Sequence, residues 1–600
     1  MIARTPIFAI LFMVFSAHAT DYYVSPQGSD RNPGTKQKPW KSLTKAATAP
    51  RPGDTVFFFG GTYQGPLQIK VSGSTGAPIA YRAVPGERPV IASTTSITMG
   101  GAIMVSGRAH IIIDGLIPIL TGGKKTEAYH VVLRNSRSVT LRNLSIEGMG
   151  DPVQKNRQRQ KEGGIKVSGS RDITIEQCSI HNISHQGIKI SDDSTRITIK
   201  QNKIFNTYGD SVRIHVTTRN KGTLQGIRII NNMLAGSLTS DGIQTDPPYQ
   251  IGEAERRTLV VNRGIIIRGN TINNHAENGI DLKGAGDVLI ESNILYGNVG
   301  DNDGYVGDKK RDTRGGNAIH VGGGQGSDNV IVRFNVIYDN RGGVFAKKQW
   351  YVYNNTILGN NRTYQGPNTS GIPGTKTMFV GARLGDAKSQ YLVNNIIGGH
   401  YSAEVSTNGR TSTGRVDHNL FLTTPAHQPL FLVREKQVQG LSAWKAATGL
   451  DQHSLVTLDA GFASGSATPI AEKADRYDFS LKPASTARDR GTHLAVTASR
   501  GSGNTVPVDY AGCFFDGYGV EQGDLLFIGN TEARVVHIDR AKSAIRLDRN
   551  IAWSEGTRVS LATLGFSPDV GAHVTPKSVS DRPPRSDIAP PSNLTLEIIR

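Results

Sequence analysis

Two short phrases concentrate reactive side chains in this sequence. They are Ser240-Asp241-Gly242-Ile243-Gln244-Thr245-Asp246 and Glu277-Asn278-Gly279-Ile280-Asp281-Leu282-Lys283. Each has a Gly-Ile core whose second place is apolar and whose third and fifth places are polar. In a strand, that alternation turns the second and fourth residues inward and the third and fifth outward. Residues 164–168, 187–191, 211–215, 318–322 and 343–347 follow the same pattern. Laid side by side, the third places read Lys166, Lys189, Arg213, Gln244, Asp281, His320 and Phe345. The fifth places read Ser168, Ser191, His215, Asp246, Lys283, Gly322 and Lys347. Asp210, Asp241 and Asn278 stand just ahead of their strands. A surface sheet ordinarily shows Ser, Thr and scattered Lys, whereas this section gathers Arg, His, Asp and Lys.

Such a set suits proton abstraction from a polyanion. To cut a uronate-containing polysaccharide by β-elimination, a site must neutralise the uronate carboxylate, remove the C5 proton and expel O4. Neutralisation falls to Ca²⁺ held by Asp oxygens, to Arg, or to both. Arg213 is the candidate clamp, and Asp210, Asp241 and Asp246 are the candidate metal ligands. The base is a Lys with a lowered pKa, or a His whose ordinary pKa already suits the work. Lys283, His215 and His320 are the candidates. Gln244, Asp281, Lys189 and Asn278 fall beside them as substrate-binding residues. A plainer reading stands next to this one. Lys283 beside Asp246 and Asp281 makes an exposed ion pair worth about 0–1 kcal/mol, which raises the lysine pKa. Arg213 is then a salt bridge to Asp210 or Asp246. The run Asp301-Asn302-Asp303-Gly304, with Asp312 further on, faintly resembles a calcium loop but has Val306 where that loop needs Gly.

The elements that position this strip are written in a repeat, apolar-x-apolar-x-x-Asn-x-apolar. Its Asn falls at 202, 232, 270, 293, 335 and 355, with looser copies at 395 and 419; Cys178 and Leu144 fill the same slot in earlier copies. Alternating apolar residues face inward. An Asn at the following bend can bond the same bend of the next coil, so the copies stack into an all-β solenoid with an internal amide ladder. Variable spacing between copies sends out excursions at residues 151–162, 247–263 and 300–316, which serve as walls of a groove. Residues 41–49 read as a short helix covering the first coil, whose sheet edge would otherwise be free.

The expected organisation follows. Residues 1–19 form a secretory signal, with Arg4, an apolar run and Ala17-His18-Ala19 as the cleavage site. Residues 20–510 form the solenoid. Residues 511–573 hold a small β-barrel-like domain and the coil closure, and residues 574–600 a disordered, Pro-rich tail. The apolar run is short for a membrane span. Secretion or periplasmic location is expected, with no membrane span and a monomeric chain. Two cysteines, Cys178 and Cys513, read as packing residues. The formal charge of +18 in an exported protein favours an acidic polysaccharide partner over nucleic acid.

The opening, with its helix before Gly53-Asp54-Thr55-Val56, resembles that of right-handed parallel β-helix proteins. The phrase Asn278-Gly279-Ile280-Asp281-Leu282-Lys283 is similar to the base-carrying strand of the family-nine pectate lyases, which are parallel β-helix enzymes using Ca²⁺ and a lysine. The resemblance spans residues 20–430 as architecture. It implies that Lys283 is the base and that Ser240-Asp241-Gly242 is a calcium phrase. The expected activity is therefore a polysaccharide lyase with Ca²⁺ as cofactor. Alternatives on the same fold are a polygalacturonase-type hydrolase using Asp210, Asp241, Asp246 and Asp281, a uronan epimerase, and a non-catalytic glycan-binding solenoid.

Overall fold

The computed structural model describes residues 19–572, apart from 95–99, 122–126, 150–161, 219–221, 250, 257, 299–314, 321–326, 347–348, 361–379, 385–389, 401, 408–413, 425–427, 465–473, 475–476 and 566–567. The expected signal and tail, the calcium-like run from Asp301 to Asp312, Gly322, Lys347 and most of two excursions therefore lie outside the described residues.

The Asn repeat does what its spacing requires. Inward residues stack coil on coil, Ile173 on Ile197, then Ile227, Ile265, Val288, Val330 and Trp350, and all are buried. At the next bend each backbone N–H donates to the Asn Oδ1 of the following coil. The ladder runs from Cys178 through Asn202, Asn232, Asn270, Asn293, Asn335, Asn355 and Asn395 to Asn419, at 2.9–3.0 Å. Cys178 starts it and is a free, buried thiol, as is Cys513.

Three long sheets result, with 14, 14 and 11 strands. Within the coils the strands pair in parallel. Parallel crossovers take the right-handed sense almost without exception, and the whole is a right-handed parallel β-helix. A second ladder, invisible in the repeat, runs along another bend. Ser237 N–H donates to His275 Nδ1 (3.1 Å), His275 N–H to Asn298, Asn298 N–H to Asn340, Asn340 N–H to Asn360, and Asn360 N–H to His400 Nδ1 (3.1 Å). The two histidines bond the carbonyls of Leu234 and Ile357 through Nε2, so both accept at Nδ1 as neutral rings.

Both ends are covered. The helix Leu43–Thr48 buries Leu43, Ala46 and Ala47, and Ser42 caps it by accepting from Lys45 N–H. At the far end the helix Leu441–Thr448 stacks Trp444 on Phe431 (4.8 Å). Trp444 Nε1 donates to Asp451, whose other oxygen accepts from Asn419, the last ladder residue. This covering helix was not expected, because the Asn repeat simply stops there. A six-stranded antiparallel sheet between Ala495 and Leu561 follows. It takes in Ala495–Val496 and Gly501–Pro507, residues assigned to the solenoid from sequence. Its Phe514, Phe515, Leu526 and Leu547 share one core with Ile266, Leu289, Ile331 and Tyr353 on the outer face of the first long sheet.

Burial drives the pKa of His275 down to about 4. An unfolded His titrates near 6.5, so the unfolded chain binds more protons between those values. The stability this residue contributes is complete above about pH 6.5 and is lost as pH falls toward 4. His275→Asn keeps an acceptor for Ser237 N–H and removes the titration. Thermal unfolding of the variant should lose less stability between pH 7 and pH 4 than the native chain does.

Candidate active site

The charged strip lies on the second long sheet, in the expected register. Lys166 pairs with Lys189, Lys189 with Arg213, Arg213 with Gln244, Gln244 with Asp281, and Asp281 with His320. The other row runs Ser168, Ser191, His215, Asp246. Phe345 continues the first row, with its ring 5.2 Å from His320 and under the Arg383 guanidinium.

The second row breaks at Lys283. The strand Ile280–Asp281 is only two residues long. Beyond it, Thr245 Oγ1 accepts from Lys283 N–H (2.8 Å) and donates to the Lys283 carbonyl (3.0 Å). The expected Lys283–Asp246 pair is corrected accordingly. Lys283 Nζ sits 2.7 Å from Asp281 Oδ2, and Asp281 Oδ1 faces His320 Nδ1 at 3.3 Å. Burial favours the neutral amine, but Asp281, Asp241 and Asp246 outweigh it and hold Lys283 well above the usual lysine range. Lys283 thus lacks the lowered pKa that a base requires. Burial opposes charge on Asp281 too, yet Lys283 and His320 keep it well below the usual carboxylate range.

Asp246 is claimed by Arg213 (2.6 Å), which also reaches Asp210 (3.3 Å). Tyr249, three residues beyond the strand Ile243–Asp246, closes over this pair. Its hydroxyl donates to Asp246 Oδ2 (3.0 Å) and accepts from Arg213. Its ring lies 4.8 Å from that of His215. Burial, then Asp246, pushes the phenol up to about 12, while half of the side chain stays exposed. His215 is buried, and burial with the charges of Arg213 and Lys189 pushes it down to about 4, so its ring is neutral at pH 7. Arg213 Nε and His215 Nε2 on the strand Val212–His215, and Ser211 Oγ just ahead of it, are buried without a hydrogen-bond partner among the described residues.

Lys189 meets Glu127 at 3.1 Å, and Lys166 meets it at 3.7 Å. Burial opposes the Glu127 charge, but the two lysines bring its pKa down to about 2. Gln244 and Asn278 turn out to be internal connectors. Gln244 Nε2 donates to Asp241 Oδ2 (2.5 Å), and Asn278 N–H and Nδ2 donate to Asp241 Oδ1 (2.7 and 3.0 Å). Asp241 is fully buried, and burial with Glu277 and Asp281 raises it well above the usual carboxylate range.

The three aspartates considered for calcium are therefore engaged with this chain's own donors. Asp210 accepts from Ser240, Asp241 N–H and Arg213; Asp241 from Asn278 and Gln244; Asp246 from Arg213 and Tyr249. Calcium asks for six to eight converging oxygens, and these three do not fit it. Among the described residues, the His, Cys, Asp and Glu side chains that do converge are elsewhere, at Asp417, His418 and His453.

Tyr249 and Glu127 were missed from sequence. Residues 247–263 were read only as a groove wall, and no repeat fixes where a side chain of such an excursion returns to the sheet.

Residues 22–215 match the family described as "Pel9A-like, right handed beta helix region", and residues 129–302 match the general right-handed β-helix family. The chain resembles the right-handed β-helix polysaccharide lyases. The uncharacterised protein YwoF of Bacillus subtilis is 25% identical over 516 residues, covering 78% of this chain and 92% of that protein. Pectate lyase PEL9 of Emericella nidulans is 40% identical over 87 residues, or 14% of this chain and 21% of the lyase. Among solved structures, the PL6 family alginate lyase AlyGC aligns with a TM-score of 0.43 and 14% identity, over 67% of this chain and 51% of its own length. Pectate lyase Pel9A aligns with a TM-score of 0.33 and 15% identity, over 80% of this chain and 94% of its own. No helix among the described residues is long and apolar enough to cross a membrane.

The engagement of Asp210, Asp241 and Asp246 makes a prediction. Calcium chloride or a chelator should leave the thermal midpoint of the Asp210→Asn and Asp246→Asn variants displaced from the native chain by the same amount as in plain buffer.

Proposed function

We propose that the protein is an exported lyase that cleaves an acidic, uronate-containing polysaccharide by β-elimination, with its chemical centre at Arg213, His215 and Tyr249. The observation that carries this reading is the pair of unpartnered buried nitrogens on the strand Val212–His215, Arg213 Nε and His215 Nε2. Buried polar atoms normally find partners, because leaving one unmade costs about 1–3 kcal/mol. Arg213 Nε and His215 Nε2 stand unsatisfied beside the Lys189 cation and the Tyr249 phenol. A sugar acid offers what they lack.

The chemistry follows from the charges. The uronate carboxylate lies against Arg213 and Lys189, the two cations that depress His215. C5 carries that carboxylate, so its proton comes to the imidazole beside them. His215 Nε2 takes the proton, and the C–H electron pair becomes the C4=C5 double bond. The C4–O4 bond breaks, and the Tyr249 hydroxyl turns from Asp246 and gives its proton to O4, leaving a phenolate beside Arg213. A phenol with a pKa of about 12 stays protonated at neutral pH and serves as the acid. The bound carboxylate cancels part of the field of Arg213 and Lys189, which makes His215 a stronger base when substrate is present. Lys283 keeps its proton and, with Lys166, adds positive charge along the polymer, with the His320 ring next to Asp281 on the same row. A hydrolase would need a free pair of carboxyl groups; Asp210, Asp241, Asp246 and Asp281 are instead buried and bonded.

Screening pectate, alginate and glycosaminoglycans for a product with the ultraviolet absorbance of an unsaturated uronate tests the reaction class. With the polymer that is cut, His215→Ala should lower kcat by about 10²–10⁴-fold and Tyr249→Phe by about 10²-fold, with polymer binding retained. Lys283→Ala should act mainly on KM. Full activity in His215→Ala would overturn the assignment. Release of saturated ends would point to hydrolysis, and a changed uronate without chain cleavage to epimerisation.

The pH dependence carries its own signature. The kcat/KM profile reports the free protein, so it should fall only as pH drops toward about 4, where His215 gains its proton. The kcat profile reports the complex and should fall at a higher pH, since the substrate carboxylate raises the same group. Coincident limbs would count against His215 as the base.

A further inference from the structure

We propose that Asp417, His418 and His453 form a binding site for a divalent transition-metal ion of the zinc type at the carboxyl-terminal end of the coil. This goes beyond the lyase reading and does not depend on it. Asp417 ends the last strand of the first long sheet, Arg415–Asp417, and His418 follows it. His453 comes from the loop beyond the covering helix Leu441–Thr448. One ligand atom from each of the three lies within 4.8 Å of the others. The two imidazoles lie side by side, with ring centres 5.0 Å apart.

What surrounds the three residues supports a ligand role. Asp417 Oδ1 accepts from His418 N–H (2.9 Å) and His453 N–H (2.7 Å), so its carboxylate is fixed in place. The His418 ring stacks in parallel on that of His453, with an interplanar angle of 17°. His453 Nδ1 lies 2.6 Å from Asp417 Oδ2, and its side chain is 69% exposed, so the approach is open. The nearby Arg415 places its guanidinium on the Leu494 carbonyl and Thr492 Oγ1.

The donor set selects the metal. Two imidazole nitrogens and one carboxylate suit zinc, nickel or copper, whereas calcium prefers an all-oxygen shell. The ion takes the place of the proton shared by His453 Nδ1 and Asp417 Oδ2. That proton leaves to solvent, and water fills the remaining positions. Bound there, the ion joins the last strand of the coil to the loop that follows its cover, 36 residues apart at Asp417 and His453. It would act as a staple on the end of the solenoid, away from the reaction strip.

The test uses the full chain without an affinity tag, stripped with a chelator and titrated calorimetrically with zinc chloride, nickel chloride and calcium chloride. One zinc ion per chain should bind and raise the thermal midpoint, and calcium should do neither. His453→Gln, at an exposed position that the fold tolerates, should lower zinc affinity by more than the roughly ten- to hundredfold that losing an outer partner of a ligand costs. His418→Gln should do the same, and polysaccharide cleavage should be unchanged in His453→Gln. Absence of stoichiometric zinc binding overturns the proposal, as does zinc binding that survives in both variants.

Discussion

A buried backbone N–H at every bend is the constraint that the rest of this molecule obeys. A coil that turns inside a protein cannot leave that donor to water, and the cost of leaving it unmade is about 1–3 kcal/mol per group. The Asn ladder meets the demand with one side chain per coil, because each Oδ1 accepts both a backbone N–H and the amide of its neighbour. The ladder works only if successive bends stack at the strand spacing of about 4.8 Å. It therefore sets the pitch of the whole solenoid. The second ladder, bounded by His275 and His400, does the same at another bend and tolerates imidazole because Nδ1 accepts as an amide oxygen does.

A fixed pitch makes charge cumulative. Outward residues of successive coils come within reach of one another whatever their sequence separation, so each cation must choose among several carboxylates. Arg213 takes Asp210 and Asp246, Lys283 takes Asp281, and the lysines of two earlier coils share Glu127. The choice at Lys283 is made by backbone, not by charge. Thr245 Oγ1 holds the Lys283 peptide where the ladder ends, and from there Asp281 is the carboxylate that the ammonium pairs with. His215 is what remains among these pairs, a neutral ring beside two cations. Its low pKa comes first from burial and then from the charges of Arg213 and Lys189, and the carboxylate beside it in the row, Asp246, is already taken by Arg213 and Tyr249.

The repeat in the sequence made the coil, the core rows and the outward columns legible, because strand alternation and the Asn position are both local features. Lys166, Lys189, Arg213, Gln244, Asp281 and His320 line up as read. Pairing was less legible. Columns give neighbours but not torsions, and the two-residue strand at Ile280–Asp281 moved Lys283 out of its row. Tyr249 and Glu127 come from segments outside the repeat, where sequence distance carries no information about return points. The second ladder was hidden because its ends are His rather than Asn. The covering helix Leu441–Thr448 follows the last ladder residue, Asn419, after the periodic signal has run out.

The antiparallel sheet shows how the same geometry gives the solenoid a front and a back. Outward Ile266, Leu289 and Ile331 are apolar where a solvated face would carry polar residues, and they stack in register on adjacent coils. The sheet buries this stripe, and two arginines pin its edge: Arg333 bridges Glu291 (2.6 Å) and Asp524 (2.8 Å), while Arg268 bridges Glu291 and Glu521. Burial of the apolar stripe stabilises the contact, and the shared Glu291 fixes its position along the axis. Because that stripe belongs to the first long sheet and the charged strip to the second, the sheet braces the coils that carry Arg213, Asp281 and His320 from another face. A scaffold held this way keeps Arg213 and His215 on one coil, and Tyr249 beyond the strand of the next, in one geometry.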